Sequence, residues 1–108
     1  MQFLHYFRKN NFMWSNHVFI ITGAGSGIGK ELSVQALEGG ATVFAIDVRD
    51  TGLQELKTSY PQTHIHQMDI SDKEAIVRFA DETIPKLDQK TLVLINNAGV
   101  GLLSGKFE

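Results

Sequence analysis

Four short apolar runs alternate along the chain with segments in which apolar residues recur every three or four positions. The runs rich in β-branched residues cover 17–22, 41–46 and 91–95, and a more polar run covers 64–68. Near-continuous apolar runs of this kind are typical of strands buried on both faces of a parallel sheet. The sequence therefore predicts four strands, each separated from the next by a helix.

The first predicted helix covers about 26–38 and ends at a glycine pair, the usual helix stop. Its inner face is predicted from apolar residues spaced four apart, namely Ile28, Leu32 and Ala36. The second helix is predicted to start at Asp50 or Thr51 and to end before Pro61. Its inner stripe consists of Leu53, Leu56 and Tyr60.

The third predicted helix opens at the stretch SDKE, where Ser71 and Glu74 have the spacing of a capping box. Its buried face continues with Ile76, Phe79, Ala80, Thr83 and Ile84. The element order is then β-α-β-α-β-α-β, which indicates parallel strands joined by right-handed crossovers. We expect an α/β fold, a Rossmann-type three-layer doubly wound parallel sheet truncated at about four strands.

Length and composition narrow the classes of protein that remain. The 108 residues fit one small domain, which we assign to 15–108, after an extension at 1–14 that we expect to be poorly ordered. A net charge of −2 gives no electrostatic footprint for nucleic acid, and the lack of cysteine excludes disulfides and thiolate nucleophiles. No apolar run reaches the length that a membrane-spanning helix needs, so a cytoplasmic protein without a membrane partner is expected.

The glycine-rich stretch TGAGSGIGKE after the first strand is typical of a phosphate-binding turn. A P-loop would place glycine where Ala24 stands and a magnesium-binding hydroxyl where Glu31 stands, so that motif fails. The pattern G-x-G-x-x-G fails as well, because its third glycine falls on Ile28 or Lys30. Lys30 is then expected to be a solvated residue of the first helical turn.

The spacing that fits is T-G-x-x-x-G-x-G. We expect Gly23 to turn the chain sharply, Gly27 to let backbone N–H groups approach a pyrophosphate, and Gly29 to allow close packing of the helix. The hydroxyl of Ser26 can add a hydrogen bond. The cofactor-binding candidates of this loop are Thr22, Gly23, Ser26, Gly27, Ile28 and Gly29.

Asp47 ends the second strand, 18 positions after Gly29, where a carboxylate can accept hydrogen bonds from the hydroxyls of an adenosine ribose. The same charge repels a 2′-phosphate, so Asp47 favours NAD over NADP. Arg49 lies two positions further on and keeps NADP open.

With these residues in place, the sequence resembles the short-chain dehydrogenase/reductase family over about 17–101. The resemblance rests on TGAGSGIG at 22–29, on Asp69 and Ile70 after the third strand, and on NNAG at 96–99 after the fourth. It implies that Asp69 and Ile70 contact the adenine. It also implies that Asn96 ties neighbouring strands together near the cofactor ribose, and that Ala98 and Gly99 leave room for the cofactor. Taken without the resemblance, NNAG is also an ordinary turn signal.

The resemblance further implies hydride transfer between the nicotinamide and a secondary alcohol or carbonyl, in enzymes that form homo-oligomers. That chemistry uses a tyrosine followed four positions later by a lysine, but Asn10 follows Tyr6 and His64 follows Tyr60 at that spacing. We therefore expect a cofactor-binding N-terminal portion without catalytic residues, inactive by itself.

Two other interpretations stay open. The chain can be a non-catalytic dinucleotide-binding or interaction module, or the product of a truncated gene, whereas a methyltransferase-like domain fits the glycine loop and NNAG poorly. His64 and His66 share a strand face without a third ligand, which indicates a solvated edge and no metal site.

Overall fold

In a computed structural model of the chain, which describes residues 13–87 and 90–97, four parallel strands form one sheet. The strands are β1 (His17–Thr22), β2 (Thr42–Asp47), β3 (His64–Gln67) and β4 (Thr91–Ile95). Their order in the sheet is β3-β2-β1-β4, so the chain moves outward from β1 in one direction and then returns to its other side. The predicted doubly wound α/β arrangement is confirmed, with its switch point between β1 and β4.

Two helices cover one face of the sheet and enclose the core. They are α1 (Gly27–Glu38) and α2 (Thr51–Ser59). Alternate strand residues point toward them because successive side chains of a strand face opposite sides. Deeply buried side chains of this core include Phe19, Ile21, Val43, Ala45, Leu53 and Leu56.

The inner face of α1 differs from the prediction at one position. Leu32 and Ala36 are buried as expected, but the side chain of Ile28 is 61% exposed. The buried face is centred on Gly29 and Ser33, and Ile28 lies about 100° around the helix from Gly29. Including Ile28 was therefore wrong, because steps of three and four residues from Gly29, over Leu32, Ser33, Ala36 and Leu37, define the packed face.

The start of α3 (Lys73–Thr83) also differs from the prediction. Asp72 is the N-cap, and its Oδ1 accepts a hydrogen bond from the Ala75 N–H at 3.1 Å. Ser71 donates both its N–H and its hydroxyl to Oδ1 of Asp69, which holds it outside the helix. The predicted capping box of Ser71 and Glu74 is wrong, because the Ser71 side chain bonds to Asp69 in a local turn and does not cap the helix.

The second face of the sheet is covered only in part, by α3. Phe79 and Ala80 are half-buried there, whereas Ile76 and Ile84 are exposed. An apolar cavity of about 440 Å³ lies between α3 and the strands β1 and β4. Leu94 on β4 borders this cavity and is 64% exposed. The predicted buried face of α3 thus points to the sheet but is not closed over.

Aromatic rings attach α3 to the other half of this face. The ring of Phe79 lies edge-on to His66 and to Phe44, with ring centroids 4.9 Å and 6.0 Å apart. The Phe44 ring stacks on His64 with centroids 4.5 Å apart. Burial lowers the pKa of both histidines below the usual 6.5, assisted for His64 by the charge of Lys57. His64 contributes further to the lowering at His66, and Glu82 opposes it. Both histidines lie on the edge strand β3, where His64 is exposed as expected but His66 is half-buried among rings.

A 3₁₀ turn at Trp14–Asn16 precedes the first strand. The Trp14 ring stacks on Phe19 with centroids 5.6 Å apart, and it lies against Gly39, where a Cβ atom would come within 2.6 Å of it. Trp14, the last residue of the predicted extension, therefore contacts the body of the domain. Residues 1–12 lie outside the described part of the chain.

Candidate functional site

The predicted site residues that the structure describes all lie near the carboxyl ends of the strands. Thr22 ends β1, Asp47 ends β2, Asp69 follows β3 and Asn96 follows β4. Because the four strands are parallel, these ends share one edge of the sheet, the edge where open α/β folds bind ligands. The predicted positions Ala98 and Gly99 fall outside the described residues.

The glycine loop between β1 and α1 contains two residues in the left-handed region. Gly23 has φ 66° and Gly27 has φ 54°, conformations that side-chain-bearing residues rarely adopt. Between them Ala24 is fully buried, and its N–H donates to the Ile46 carbonyl at 3.0 Å. The loop is therefore tied to β2 at its first turn, as a fixed cradle requires.

Gly29 is needed for a close approach within the loop itself. A Cβ atom at this position would overlap the carbonyl oxygen of Gly23 and lie 2.8 Å from Nδ2 of Asn97. The prediction assigned Gly29 to packing of the helix, and the structure specifies the neighbours. Gly29 keeps the start of α1 close to both the loop and the segment after β4.

α1 begins within this loop, with its N-terminus at Gly27. Ser26 occupies the N-cap position without a capping hydrogen bond from its side chain, and Ile28 is exposed in the first turn. The first N–H groups of a helix lack intrahelical partners and carry the positive end of the helix dipole. The first turn of α1 contains no acidic residue, so this end can accept an anion such as a phosphate.

Asp47 braces the loop from the end of β2. Its Oδ2 accepts the Gly25 N–H at 2.8 Å, and its Oδ1 accepts the Arg49 N–H at 3.2 Å. The carboxylate borders a cavity of about 370 Å³ whose lining is Gly25, Ser26, Asp47, Arg49, Thr51, Gly52 and Glu55. Asp47 is thus both a structural tie of the loop and an anionic wall of the cavity beside it.

Thr22 links β1 to the segment after β4. Its hydroxyl oxygen lies 3.2 Å from Oδ1 of Asn96, and it accepts the Asn97 N–H at 2.9 Å. The side chain of Asn97 donates to the Gly23 carbonyl at 3.4 Å. The resemblance implies a strand-linking role for Asn96, whose Oδ1 lies beside the Thr22 hydroxyl, and Asn97 makes further contacts across the same strands. Asn97 was missed because only the first asparagine of the pair was given a role.

Asp69 and Ile70 border a second cavity of about 340 Å³, together with Gly23 and Asp47. Two hydrogen bonds from Ser71 stabilise the Asp69 carboxylate and lower its pKa below the usual value. The bond from the Ser71 N–H has the larger effect and the bond from its hydroxyl the smaller. This carboxylate therefore stays ionised at neutral pH and can accept hydrogen bonds. Asp47 and residues of the glycine loop line both cavities.

Two contacts at the site were not predicted. Gly52, in the first turn of α2, lies so close to Gly25 that a Cβ atom there would overlap the Gly25 carbonyl. Lys30, expected to be solvated, has its Nζ 2.5 Å from Oε1 of Glu55 on α2. A glycine inside a helical pattern was the available signal for the first contact, and the second joins residues 25 positions apart.

The described ranges, 13–87 and 90–97, contain no group of three or more side chains able to hold a metal ion. They also contain no helix long and apolar enough to cross a membrane.

Comparison with known proteins agrees with this geometry. The family model described as short chain dehydrogenase matches residues 17–108. The chain is 33% identical over 99 residues to 7alpha-hydroxysteroid dehydrogenase of Escherichia coli strain K12, covering 88% of this chain and 38% of that protein.

Solved structures give the same result. A short-chain dehydrogenase from Streptomyces avermitilis aligns with a TM-score of 0.69 at 32% identity, covering 77% of this chain and 30% of that one. A 4-hydroxyisoleucine dehydrogenase, solved in complex with NADH, aligns with a TM-score of 0.55 at 33% identity. The alignment covers 66% of this chain and 30% of that one. This chain spans 28–38% of the length of the curated relatives that it matches.

Proposed function

Because the chain belongs to the short-chain dehydrogenase family, we propose that it binds NAD at the carboxyl edge of its sheet. It would act there as the cofactor-binding portion of an oxidoreductase. The family supports a nicotinamide dinucleotide, and the choice of NAD over NADP is the finer part of the proposal. When bound, this cofactor supplies the hydride donor or acceptor.

One observation carries the proposal. Ser26 at the N-terminus of α1 and the Asp47 carboxylate line one cavity of about 370 Å³, and Asp47 also accepts the Gly25 N–H. A dinucleotide offers a pyrophosphate and an adenosine ribose within one short molecule, and these are the groups that a helix N-terminus and a strand-end carboxylate recognise. The solved relative complexed with NADH supports the same class of ligand.

The residues are proposed to act as follows. Gly27, Ile28 and Gly29 offer backbone N–H groups to the pyrophosphate, with the hydroxyl of Ser26 beside them. Asp47 accepts hydrogen bonds from the adenosine ribose, and its charge disfavours a 2′-phosphate. Asp69 and Ile70 border the neighbouring cavity, where the adenine would lie.

Tyr60 is not a candidate for the proton transfer that accompanies hydride transfer. Its hydroxyl donates to Oε2 of Glu38 at 2.6 Å, and this hydrogen bond raises the tyrosine pKa above its usual value. A catalytic acid and base needs a pKa nearer neutrality. Tyr60 also follows the last turn of α2, at the end of the domain away from the glycine loop. We propose that alcohol or carbonyl chemistry of the complete enzyme uses groups other than those described.

The test is a titration of the chain with NADH and with NADPH, in which binding is detected by the fluorescence of the reduced nicotinamide. Asp47→Asn retains an oxygen that can accept the Gly25 N–H but removes the charge. We expect NADH to bind this variant about tenfold more weakly, since hydrogen bonds to charged groups contribute about 1.5–3 kcal/mol. NADPH should bind it more tightly than it binds the wild type.

Asp50→Asn is the matched control, because Asp50 is exposed and its carboxylate accepts from Gln54 outside the cavity. It should leave both affinities unchanged. Failure of the wild-type chain to bind either dinucleotide contradicts the proposed function. An NADH-to-NADPH ratio that stays the same in Asp47→Asn contradicts the role of Asp47 alone.

A further inference from the structure

A second carboxylate borders the cavity beside Asp47. Glu55 lines it from α2, and its Oε1 lies 2.5 Å from Nζ of Lys30 on α1. The side chains of Glu55 and Lys30 are 59% and 35% exposed, so both charges remain in contact with water. The charged groups that line the cavity are therefore two carboxylates and the guanidinium of Arg49.

The position of Glu55 follows from how α2 starts. Gly52 faces the glycine loop, and its lack of a side chain lets the first turn of α2 lie directly against Gly25. Residues three apart share a helix face, so Glu55 points to the same side, one turn further from the loop. Lys30 reaches the carboxylate from the first turn of α1. The ion pair thus spans the two helices that bound the cavity.

We propose that Glu55 and Lys30 together set how strongly this site rejects a 2′-phosphorylated dinucleotide. The inference rests on the proposed function and adds two specificity-determining residues to it. A 2′-phosphate brings about two negative charges. In the wild type it meets the carboxylates of Asp47 and Glu55, while Lys30 is neutralised by its partner. Removing the charge of Glu55 takes away one repulsion and also frees a lysine beside the cavity.

This arrangement makes the two residues act in opposite directions. Glu55→Gln should raise the affinity for NADPH, whereas Lys30→Gln leaves Glu55 without its partner and should lower it. Exposed charge pairs contribute up to about 1 kcal/mol, so each change is expected to be about two- to fivefold. NADH carries a neutral hydroxyl at the same place, and its affinity should stay within about twofold.

The experiment titrates four proteins, the wild type, Glu55→Gln, Lys30→Gln and Glu31→Gln, with NADH and with NADPH. Adenosine 2′,5′-bisphosphate and 5′-AMP are titrated in parallel by calorimetry, so the readout does not depend on enzymatic activity. Glu31→Gln removes the same charge from α1, but Glu31 is exposed and pairs with Gln35 outside the cavity. Repeating the titrations at high salt should shrink the differences, because exposed charges are screened.

The outcomes separate the two levels of the proposal. Opposite shifts of the NADPH affinity in Glu55→Gln and Lys30→Gln, without a shift in Glu31→Gln, support the inference. Equal shifts in Glu55→Gln and Glu31→Gln overturn it, since total charge then explains the effect. A wild type that binds NADH, together with an unchanged ratio in Glu55→Gln, overturns the inference and leaves the proposed function standing. A wild type that binds neither dinucleotide overturns both.

Discussion

Replacing Gly52 by alanine tests whether the contact between α2 and the glycine loop determines the stability of the site. Judged by helix propensity alone, Gly52→Ala should stabilise the protein by up to about 1 kcal/mol. In the structure, however, the added Cβ atom would lie 2.6 Å from the Gly25 Cα and overlap its carbonyl. An ordinary contact begins at 3.4 Å, so the Gly25 Cα alone requires loop and helix to separate by about 0.8 Å, and the nearer carbonyl oxygen requires more.

That separation acts on a second interaction. The Gly25 N–H donates to Oδ2 of Asp47 at 2.8 Å, and moving the loop away from Asp47 by about 0.8 Å would bring the distance to about 3.6 Å, past the range of a hydrogen bond. Strain from an inserted methyl group costs about 1–3 kcal/mol, and the weakened hydrogen bond to a carboxylate adds to it. Against a gain of about 1 kcal/mol, we expect a net destabilisation of about 1–3 kcal/mol.

The assay is urea unfolding followed by circular dichroism, with the free energy of unfolding compared at a common slope. Thr58→Ala is the matched control, since Thr58 lies exposed in the same helix and its hydroxyl donates to the Gln54 carbonyl one turn earlier. It should gain a few tenths of a kcal/mol in helix propensity without a clash. A Gly52→Ala protein as stable as Thr58→Ala, with unchanged NADH affinity, would refute this reasoning.

Two further predictions concern the loop and the aromatic cluster. Gly29→Ala should destabilise the chain by about 1–3 kcal/mol, because its Cβ atom would overlap Gly23. Gly27 has open space around it but a φ of 54°, so Gly27→Ala should cost about 1–2 kcal/mol. Thermal melts of both variants measure these two losses of stability. The folded-state pKa of His64 and His66 lies below the unfolded value of 6.5, so the unfolded chain binds more protons in acid. The contribution of these histidines to the free energy of unfolding should therefore be fully present above about pH 6.5 and be lost as the pH falls below that value. Urea midpoints from pH 7.5 to 5 measure this slope, and a slope unchanged in His66→Phe would contradict the assignment.

The strands and their order were predictable because burial on both faces leaves a direct trace in the sequence. β1 and β4 have the predicted bounds, and the spacing of Gly23, Gly27 and Gly29 indicates a loop that only glycines can form. These features depend on neighbours in the chain or on simple alternation. Local pattern is sufficient for them.

The errors and omissions have a different origin. The exposure of Ile28 depends on which side of α1 meets the sheet. The capping of α3 depends on the hydrogen bonds between Ser71 and Asp69, which keep Ser71 from acting as the cap. The contact of Gly52 with Gly25, and the pair of Lys30 with Glu55, arise from the approach of two helices. Distances between separate elements leave no periodic signal in a single sequence, so this part of the site needed coordinates.

The sheet order has a consequence for how the chain is made. β1 pairs with β4 in a register that joins His17 to Thr91, positions separated by 74 residues. At a synthesis rate of about 5–20 residues per second, one edge of β1 waits roughly 4–15 seconds for its partner strand to leave the ribosome. During that interval the edge is open to pairing with another chain. Thr22 receives the Asn97 N–H only after this wait, so the glycine loop is synthesised early and completed late.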